Sequence, residues 1–185
     1  MSAGPEWGPL ARLAGIWEGE KGEDVAYANE SATVGLTPYR EHIDFKPFGP
    51  VENGSQVLYG LDYRMAAWRG TEEKPFHTEV GYWLWDGATG EVMRGFVVPR
   101  GITVLAGGTA SAGATEFTLK AAQGDSLYNI GENQYLAKNA STLSYEVTIT
   151  VGDGTWSYDE TTMLRMKEFD QPFAHTDHNT LRRAG

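Results

Sequence analysis

Residues 143–166 read LSYEVTITVGDGTWSYDETTMLRM and contain the clearest β-hairpin signal in the chain. The runs from Leu143 to Val151 and from Trp156 to Met166 both have the pattern of strands. Between them, Gly152-Asp153-Gly154 is typical of a tight turn. We therefore predict two neighbouring antiparallel strands at this point of the sequence.

Similar short runs occur along most of the chain, with glycine and proline between them. The run from Phe76 to Trp85, for example, ends at the turn signal Asp86-Gly87-Ala88-Thr89-Gly90. About ten such strands predict an all-β fold, and they are compatible with a sandwich or with an up-and-down barrel. The segment Lys21–Pro38 is polar and contains glycine, so we expect a loop or an irregular sheet edge there rather than a core element.

The chain also has features that define its domain organisation. Leu10, Leu13 and Ala14 predict one short helical turn before the first strand. We find no internal repeat, low-complexity tract or interdomain linker. We therefore expect residues 1–185 to form a single β-domain.

Composition restricts the possible functions. The net charge of −10 offers no basic patch, which argues against binding to nucleic acid or to an anionic membrane surface. The absence of cysteine excludes disulfides, thiolate metal sites and cysteine nucleophiles. We see no signal peptide and no apolar run of the ~20 residues that a membrane-spanning helix needs. These features predict a cytoplasmic protein that binds neither nucleic acid nor a membrane. The high aromatic content, 12% of residues, suits a cavity for a small apolar or planar ligand and also suits ordinary sheet packing.

Four short motifs follow one another along the chain. Gly15-Ile16-Trp17-Glu18-Gly19 is a Gly-x-Trp-x-Gly signature, and Phe76-His77-Thr78-Glu79-Val80-Gly81-Tyr82 comes later. They are followed by Ala137-Lys138 and then by Gln171-Pro172-Phe173. In this order the motifs resemble those of the nitrobindin family, the haem-binding β-barrels related in shape to fatty-acid-binding proteins and lipocalins. The resemblance covers nearly the whole chain, from Leu10 to Leu181.

The resemblance implies a closed or nearly closed antiparallel barrel with haem b in its interior. It also implies that a histidine after the last motif is the axial ligand of the iron. In nitrobindins this histidine lies four residues after the proline, whereas His175 lies three and His178 six residues after Pro172. We favour His175 as the axial and metal-binding residue and keep His178 as the alternative. The activity that the resemblance implies is reaction with nitric oxide or isomerisation of peroxynitrite to nitrate.

The spacing of the C-terminal residues limits what they can do together. On a strand, His175 and Asp177 point to the same face, and His178 points to the opposite one. A carboxylate beside an imidazole suits a haem ligand, because it can hold the second ring nitrogen. Ordinary exposed polar residues would show the same pattern. A small divalent metal held by His175, Asp177 and His178 is a further alternative, although the alternation of faces argues against it.

The middle motif supplies the other candidate site residues. His77 is our candidate catalytic residue over the open face of the haem, and the alternative is a core histidine paired with Glu79. Trp17 and Phe76 are candidate cofactor-binding residues of an apolar pocket, and ordinary packing is the alternative for each. Lys138 is placed to reach a haem propionate, unless it is simply a solvated lysine at a strand end.

Two other functions remain open from the sequence. The first is a non-catalytic carrier or sensor of a fatty acid or another apolar molecule, with a cation for the carboxylate from among Arg64, Arg94 and Arg165. The second is a cofactor-free enzyme that uses His77 together with Glu79. The sequence contains no nucleophile elbow, phosphate loop or dinucleotide fingerprint.

Overall fold

The computed structural model describes residues 3–184, which form eleven antiparallel strands and two short helical segments. The chain begins with a 3₁₀ segment, Pro5–Arg12, and a single α-helix, α1, spans Gln134–Asn139. The strands are β1 Gly15–Ala28, β2 Thr33–Asn53, β3 Gln56–Arg69, β4 His77–Asp86, β5 Glu91–Val98, β6 Ile102–Thr109, β7 Glu116–Ala122, β8 Ile130–Glu132, β9 Ala140–Val151, β10 Thr155–Met166 and β11 Phe173–Arg183. Within residues 3–184, no helix has the length and apolar character needed to cross a membrane.

Ten of these strands close into a barrel. Strand β1 pairs with both β2 and β11, and the wall continues from β2 to β6 and from β11 through β10 and β9 to β7. A single residue pair, Gly107 with Lys120, joins β6 to β7, and β8 adds to β6 as the eleventh strand. The prediction of an all-β barrel of about ten strands is therefore confirmed.

Alternation of side chains along each strand builds the core. In β9, for example, Tyr145, Val147, Ile149 and Val151 are buried, and the residues between them are less so. The 143–166 hairpin pairs as predicted, with Val151 opposite Trp156. Because the side-chain period of a strand is two, every second residue of the barrel wall points inward.

The N-terminal 3₁₀ segment closes one end of the barrel. Leu10 is fully buried, and the Trp7 indole N–H donates to the Gly60 carbonyl at 2.9 Å. Gly8 has φ +53° and ψ −132°, and an added Cβ would lie 2.4 Å from the Trp85 ring. The segment is thus anchored on β3 and β4, and the other end of the barrel carries the opening.

We expect Gly8→Ala to destabilise the protein by about 1–3 kcal/mol, the usual effect of forcing a side chain into a glycine-only conformation. Urea unfolding measures the change in free energy. Gly113→Ala is the matched control, since nothing lies within 4 Å of its added Cβ and its φ is not positive. Equal stability of the two variants would contradict the role assigned to Gly8.

Of the two alternatives for Lys21–Pro38, the loop is wrong and the irregular sheet edge is closer, because β1 and β2 continue as a paired ribbon as far as Ala28 opposite Thr33. Most side chains there are partly or fully exposed, so the segment has the polar composition of a loop. Helix α1 was not predicted, although Asn133 caps it by accepting a hydrogen bond from the Leu136 N–H at 3.0 Å.

Candidate functional site

A cavity of about 250 Å³ lies inside the barrel and opens at the end opposite the 3₁₀ segment. A second cavity of about 160 Å³ lies beside it under Leu136 of α1. The two are contiguous, because they share five residues of the wall. The shared residues are His77, Glu79, Arg100, Glu160 and His175.

The cavity wall is unusually rich in carboxyl groups for the interior of a barrel. Apolar side chains of the wall include Ile43, Phe45, Trp83, Ile149 and Trp156. Five carboxyl groups lie among them. They are Asp24, Glu41, Glu79, Glu160 and Asp177. Because an isolated buried charge is strongly disfavoured, the partners of these groups determine what the cavity can hold.

Arg94 on β5 lies at the centre of the first group of partners. It is 7% exposed, and its Nη2 lies 2.5 Å from Glu79 Oε2. Its Nη1 contacts Glu160 Oε2 at 3.2 Å and also the Tyr145 hydroxyl. Tyr63 completes the group by donating to Glu79 Oε2 at 2.8 Å. The guanidinium therefore pairs with two carboxylates at once, and four of its five N–H donors have partners in the described part of the chain.

His77 at the start of β4 extends this group toward the opening. Its Nε2 lies 3.2 Å from Glu79 Oε1. Burial lowers the pKa of His77, but the hydrogen bond and the negative charge of Glu79 outweigh it and raise the pKa above its ordinary value. Burial raises the pKa of Glu79, but Arg94 and His77 lower it by more. The resulting pKa of Glu79 is about 2. His77 therefore keeps its proton to a higher pH than a free histidine, and the ionised Glu79 carboxylate accepts a hydrogen bond from it.

Three carboxyl groups form a row across neighbouring strands. Asp177 on β11 is directly opposite Asp24 on β1 and Glu160 on β10. His175, two residues before Asp177, has its Nε2 2.5 Å from Asp24 Oδ1. Burial and then the charge of Glu160 raise the pKa of Asp177 to about 8. His175 therefore stabilises Asp24, and Arg94 stabilises Glu160. Asp177, which lies between them, is protonated at neutral pH according to its raised pKa.

Hydroxyl groups connect Asp177 to Glu41 through the interior. Tyr39 contacts Asp177 Oδ1, its hydroxyl lies 2.6 Å from that of Tyr158, and Tyr158 contacts Glu41 Oε2 at 2.9 Å. Tyr39 donates to Asp177 Oδ1 and Tyr158 donates to Glu41 Oε2, which also accepts from Asn179 at 2.8 Å. With these directions both hydroxyl protons are used, so the contact between the two tyrosines is left without a proton. The raised pKa values of Asp177 and Glu41 mean that either carboxyl group can supply the missing proton.

Glu41 is the most isolated carboxyl group of the wall. Its side chain is 3% exposed, and its Oε1 is buried without a hydrogen-bond partner among residues 3–184. Burial raises the pKa of Glu41 to about 7, against smaller opposing effects from Asn179 and Tyr158. The ionised form of Glu41 is therefore poorly stabilised by the protein itself.

This arrangement predicts a pH dependence of stability. Since the pKa of Glu41 is about 7 when folded and near 4.5 when unfolded, the folded state binds more protons between these values. The free energy of unfolding should therefore fall as pH rises from about 4.5 to 7. Glu41→Gln should reduce this slope, measured by urea unfolding at several pH values. Glu52→Gln, at an exposed position of the same strand, should keep it, and an unchanged slope in Glu41→Gln would contradict the expectation.

Comparisons with known proteins place this architecture in a family. Residues 6–183 match the model of the THAP4-like, heme-binding beta-barrel domain. The chain belongs to this family. The THAP4-like barrel is also similar to the solved structure of Rv2717c from M. tuberculosis, with 22% sequence identity, coverage of 95% of each chain and a TM-score of 0.66. A search of curated proteins gave no significant match. The resemblance to the nitrobindin barrels is thus confirmed, and the structural similarity supports the fold.

Three of the residues expected at the site of this THAP4-like barrel do line its cavity. His77 and Phe76 belong to the β4 side of the opening, and His175 lies on the β11 side. All three are partly buried. The structure therefore brings together the middle motif and the C-terminal motif, which are about a hundred residues apart in sequence.

Three others lie outside the cavity wall. His178 is on the outer face, 51% exposed, with its Nε2 3.9 Å from Glu23. Lys138 is exposed on α1. Trp17 is buried toward the closed end, where its indole N–H donates to the Leu13 carbonyl at 2.6 Å. Their positions do not support the cofactor-binding roles that the sequence suggested.

The alternative sites can be compared in the same way. Arg94 points into the barrel, but Glu79 and Glu160 already neutralise it. Arg64 and Arg165 are exposed, so neither offers a cavity cation for a fatty-acid carboxylate. Within residues 3–184, no three histidine or carboxylate side chains are arranged to hold a metal ion.

The opening of the cavity has an imidazole and two guanidinium groups of the kind that bind haem. The contact between His175 Nε2 and Asp24 leaves Nδ1 without a hydrogen-bond partner in the described part of the chain. An imidazole with one nitrogen fixed by a carboxylate is the usual form of a metal-binding histidine. Arg69 and Arg100 line the exposed rim and offer positive charge to two propionates. These residues fit haem at the opening.

Sequence analysis missed the polar groups of the interior. Arg94 was named only as a candidate cation for a fatty-acid carboxylate. The residues not identified as site residues were Tyr39, Glu41, Tyr63, Tyr145, Tyr158 and Glu160. One available signal was a charged residue at an inward position of an alternating strand, such as Glu41 two residues before Ile43. The identity of its partner depends on the strand order, which the sequence does not provide.

Proposed function

We propose that this chain binds haem b at the open end of the barrel, with His175 as the axial ligand. The observation that carries the proposal is the His175 imidazole in the cavity wall, with its second nitrogen fixed by Asp24 at 2.5 Å. The chain has no cysteine, so a covalent thioether attachment is excluded and a non-covalently held haem b is favoured.

The residues around the opening have distinct roles in this proposal. His175 supplies the ring nitrogen for iron, and Asp24 orients the imidazole and increases its basicity. Arg69 and Arg100 pair with the propionates at the rim, where solvent keeps each ion pair weak. Phe76, whose ring lies 4.5 Å from the Arg69 guanidinium carbon, supplies an apolar contact surface.

We further propose that the bound group reacts with nitric oxide or peroxynitrite. Ferric haem supplies an iron centre that binds nitric oxide and isomerises peroxynitrite to nitrate. The contribution of the protein is to hold and shield the site. His77 keeps a proton at the cavity wall, because Glu79 raises its pKa, and can donate a hydrogen bond to an oxygen-rich anion there.

Titration of the haem-free protein with hemin tests the proposal. We expect a shifted Soret band that saturates at one hemin per chain. A stopped-flow measurement of peroxynitrite decay with and without hemin then tests the activity. An unshifted Soret band throughout the titration would reject haem binding. It would favour the alternative function, a non-catalytic carrier of a fatty acid or another apolar molecule.

A further inference from the structure

The deep part of the cavity contains a carboxylate oxygen that the protein leaves unsatisfied. Glu41 Oε1 is buried and has no hydrogen-bond partner among residues 3–184, although Oε2 of the same group accepts two hydrogen bonds. Glu41 belongs to the wall of the 250 Å³ cavity. Because a buried acceptor without a partner is destabilising, its persistence points to a partner from outside the chain.

The charges of the cavity indicate the kind of partner. Arg94 pairs with Glu79 and Glu160, and His175 pairs with Asp24. Glu41 and Asp177 have hydroxyl or amide partners, but no lysine, arginine or histidine of the described residues lies within 4.0 Å of either. Apart from Arg69 and Arg100 at the rim, the cavity wall has five carboxyl groups and three side chains that can be cationic, Arg94, His77 and His175. None of these three contacts Glu41, so a positively charged hydrogen-bond donor is favoured there.

The lining also distinguishes an organic cation from a metal ion. A metal needs several ligands in a fixed geometry, and residues 3–184 contain no such cluster of three. The same wall is rich in aromatic side chains, among them Phe45, Trp83 and Trp156. Tyr158 contacts Glu41 itself, and the Trp156 ring lies 5.6 Å from the Tyr158 ring. Aromatic faces attract an ammonium group and also receive a short alkyl chain.

We propose that the deep cavity is a binding site for a small primary ammonium compound, with Glu41 Oε1 accepting a hydrogen bond from the ammonium group. The aromatic side chains of the wall contact the alkyl part. Tyr158 and Asn179 hold the Glu41 carboxylate in place through its other oxygen.

This site is distinct from the proposed haem site. Asn179, which contacts Glu41, lies four residues further along β11 than His175, a distance of about 13 Å at ~3.3 Å per residue. The ammonium site is therefore deeper in the barrel. The proposal does not depend on haem, and its experiment uses the full chain without hemin.

The test compares three probes of similar size and different charge. Butylammonium, 1-butanol and butyrate are titrated into the wild-type protein at constant ionic strength, by calorimetry and by tryptophan fluorescence, since Trp83 and Trp156 line the site. We expect butylammonium to bind roughly tenfold or more tightly than 1-butanol, the range of a charge-assisted hydrogen bond, and butyrate not to bind. If 1-butanol or butyrate bound as tightly as butylammonium, the proposal would be overturned.

A matched pair of variants assigns the site. Glu41→Gln keeps the shape of the side chain and removes its charge, so we expect roughly tenfold or greater loss of butylammonium affinity. Glu52→Gln removes an exposed carboxylate from the same strand and should bind like the wild type. Unchanged binding in Glu41→Gln would overturn the assignment. Circular dichroism checks that the Glu41→Gln variant folds. If it does not fold, the comparison of the three probes on the wild-type protein still tests the proposal.

Discussion

His175→Ala is expected to lower the affinity for hemin by about 100-fold or more. Loss of a residue that only orients a metal ligand already weakens a metal site by about 10- to 100-fold, so loss of the ligand itself should have at least that effect. The measurement is the hemin titration of the haem-free protein, followed by the Soret band. Added imidazole should restore the band in the variant, because a small ligand can enter the space that the side chain vacates.

Two further variants make this experiment specific. His178→Ala removes a histidine from the outer face of the same strand and should bind hemin like the wild type. Asp24→Asn keeps the axial histidine but weakens its orientation, so we expect an intermediate loss of about tenfold. Wild-type affinity in His175→Ala, or a comparable loss in His178→Ala, would contradict the assignment of the ligand.

Arg94→Met is expected to destabilise the protein by about 3–5 kcal/mol, the usual effect of removing one partner of a buried ion pair. The variant leaves Glu79 and Glu160 in the barrel without their guanidinium. The free energy of unfolding, measured with urea at pH 7, should show the loss. Arg64→Met is the matched control, because Arg64 is exposed on β3 and its loss should change stability by about 0.5 kcal/mol or less.

The effect of Arg94→Met should also depend on pH. Arg94 is the main group that lowers the pKa of Glu79, which is about 2 when folded and near 4.5 when unfolded. That linkage stabilises the wild type above about pH 4.5 and is lost as pH falls toward 2. The difference in stability between wild type and variant should therefore shrink at acidic pH. A constant difference from pH 7 to pH 3 would show that packing, rather than charge, accounts for the loss.

The strands of the barrel were largely predictable, because the residues that define a strand and its turn are neighbours in the sequence. The 143–166 hairpin has its turn residues beside its strands, and the structure pairs Val151 with Trp156 as expected. Parity of spacing also placed His175 and Asp177 on one face and His178 on the other, and the structure has this arrangement. Closure of the sheet was expected from the family resemblance rather than from the strand pattern.

The interior network was not predictable because it depends on neighbours across the sheet. Glu79 and Arg94 are fifteen residues apart and meet only because β4 and β5 pair in one particular register. Tyr39 and Asp177 come from strands at nearly opposite ends of the sequence. The positions of Trp17 and Lys138 were not predictable for a related reason, since a motif shared with a family does not say at which end of the barrel a side chain lies.

The 3₁₀ segment at one end of the barrel has a consequence for kinetics. Because Leu10 and Trp7 fill that end, molecules in the deep part of the cavity exchange with solvent through the opposite end of the barrel. Occupants of such a blind channel cannot pass one another, so the innermost molecule must arrive first and depart last. A large planar group at the mouth would then slow the escape of a smaller molecule beneath it without touching that molecule.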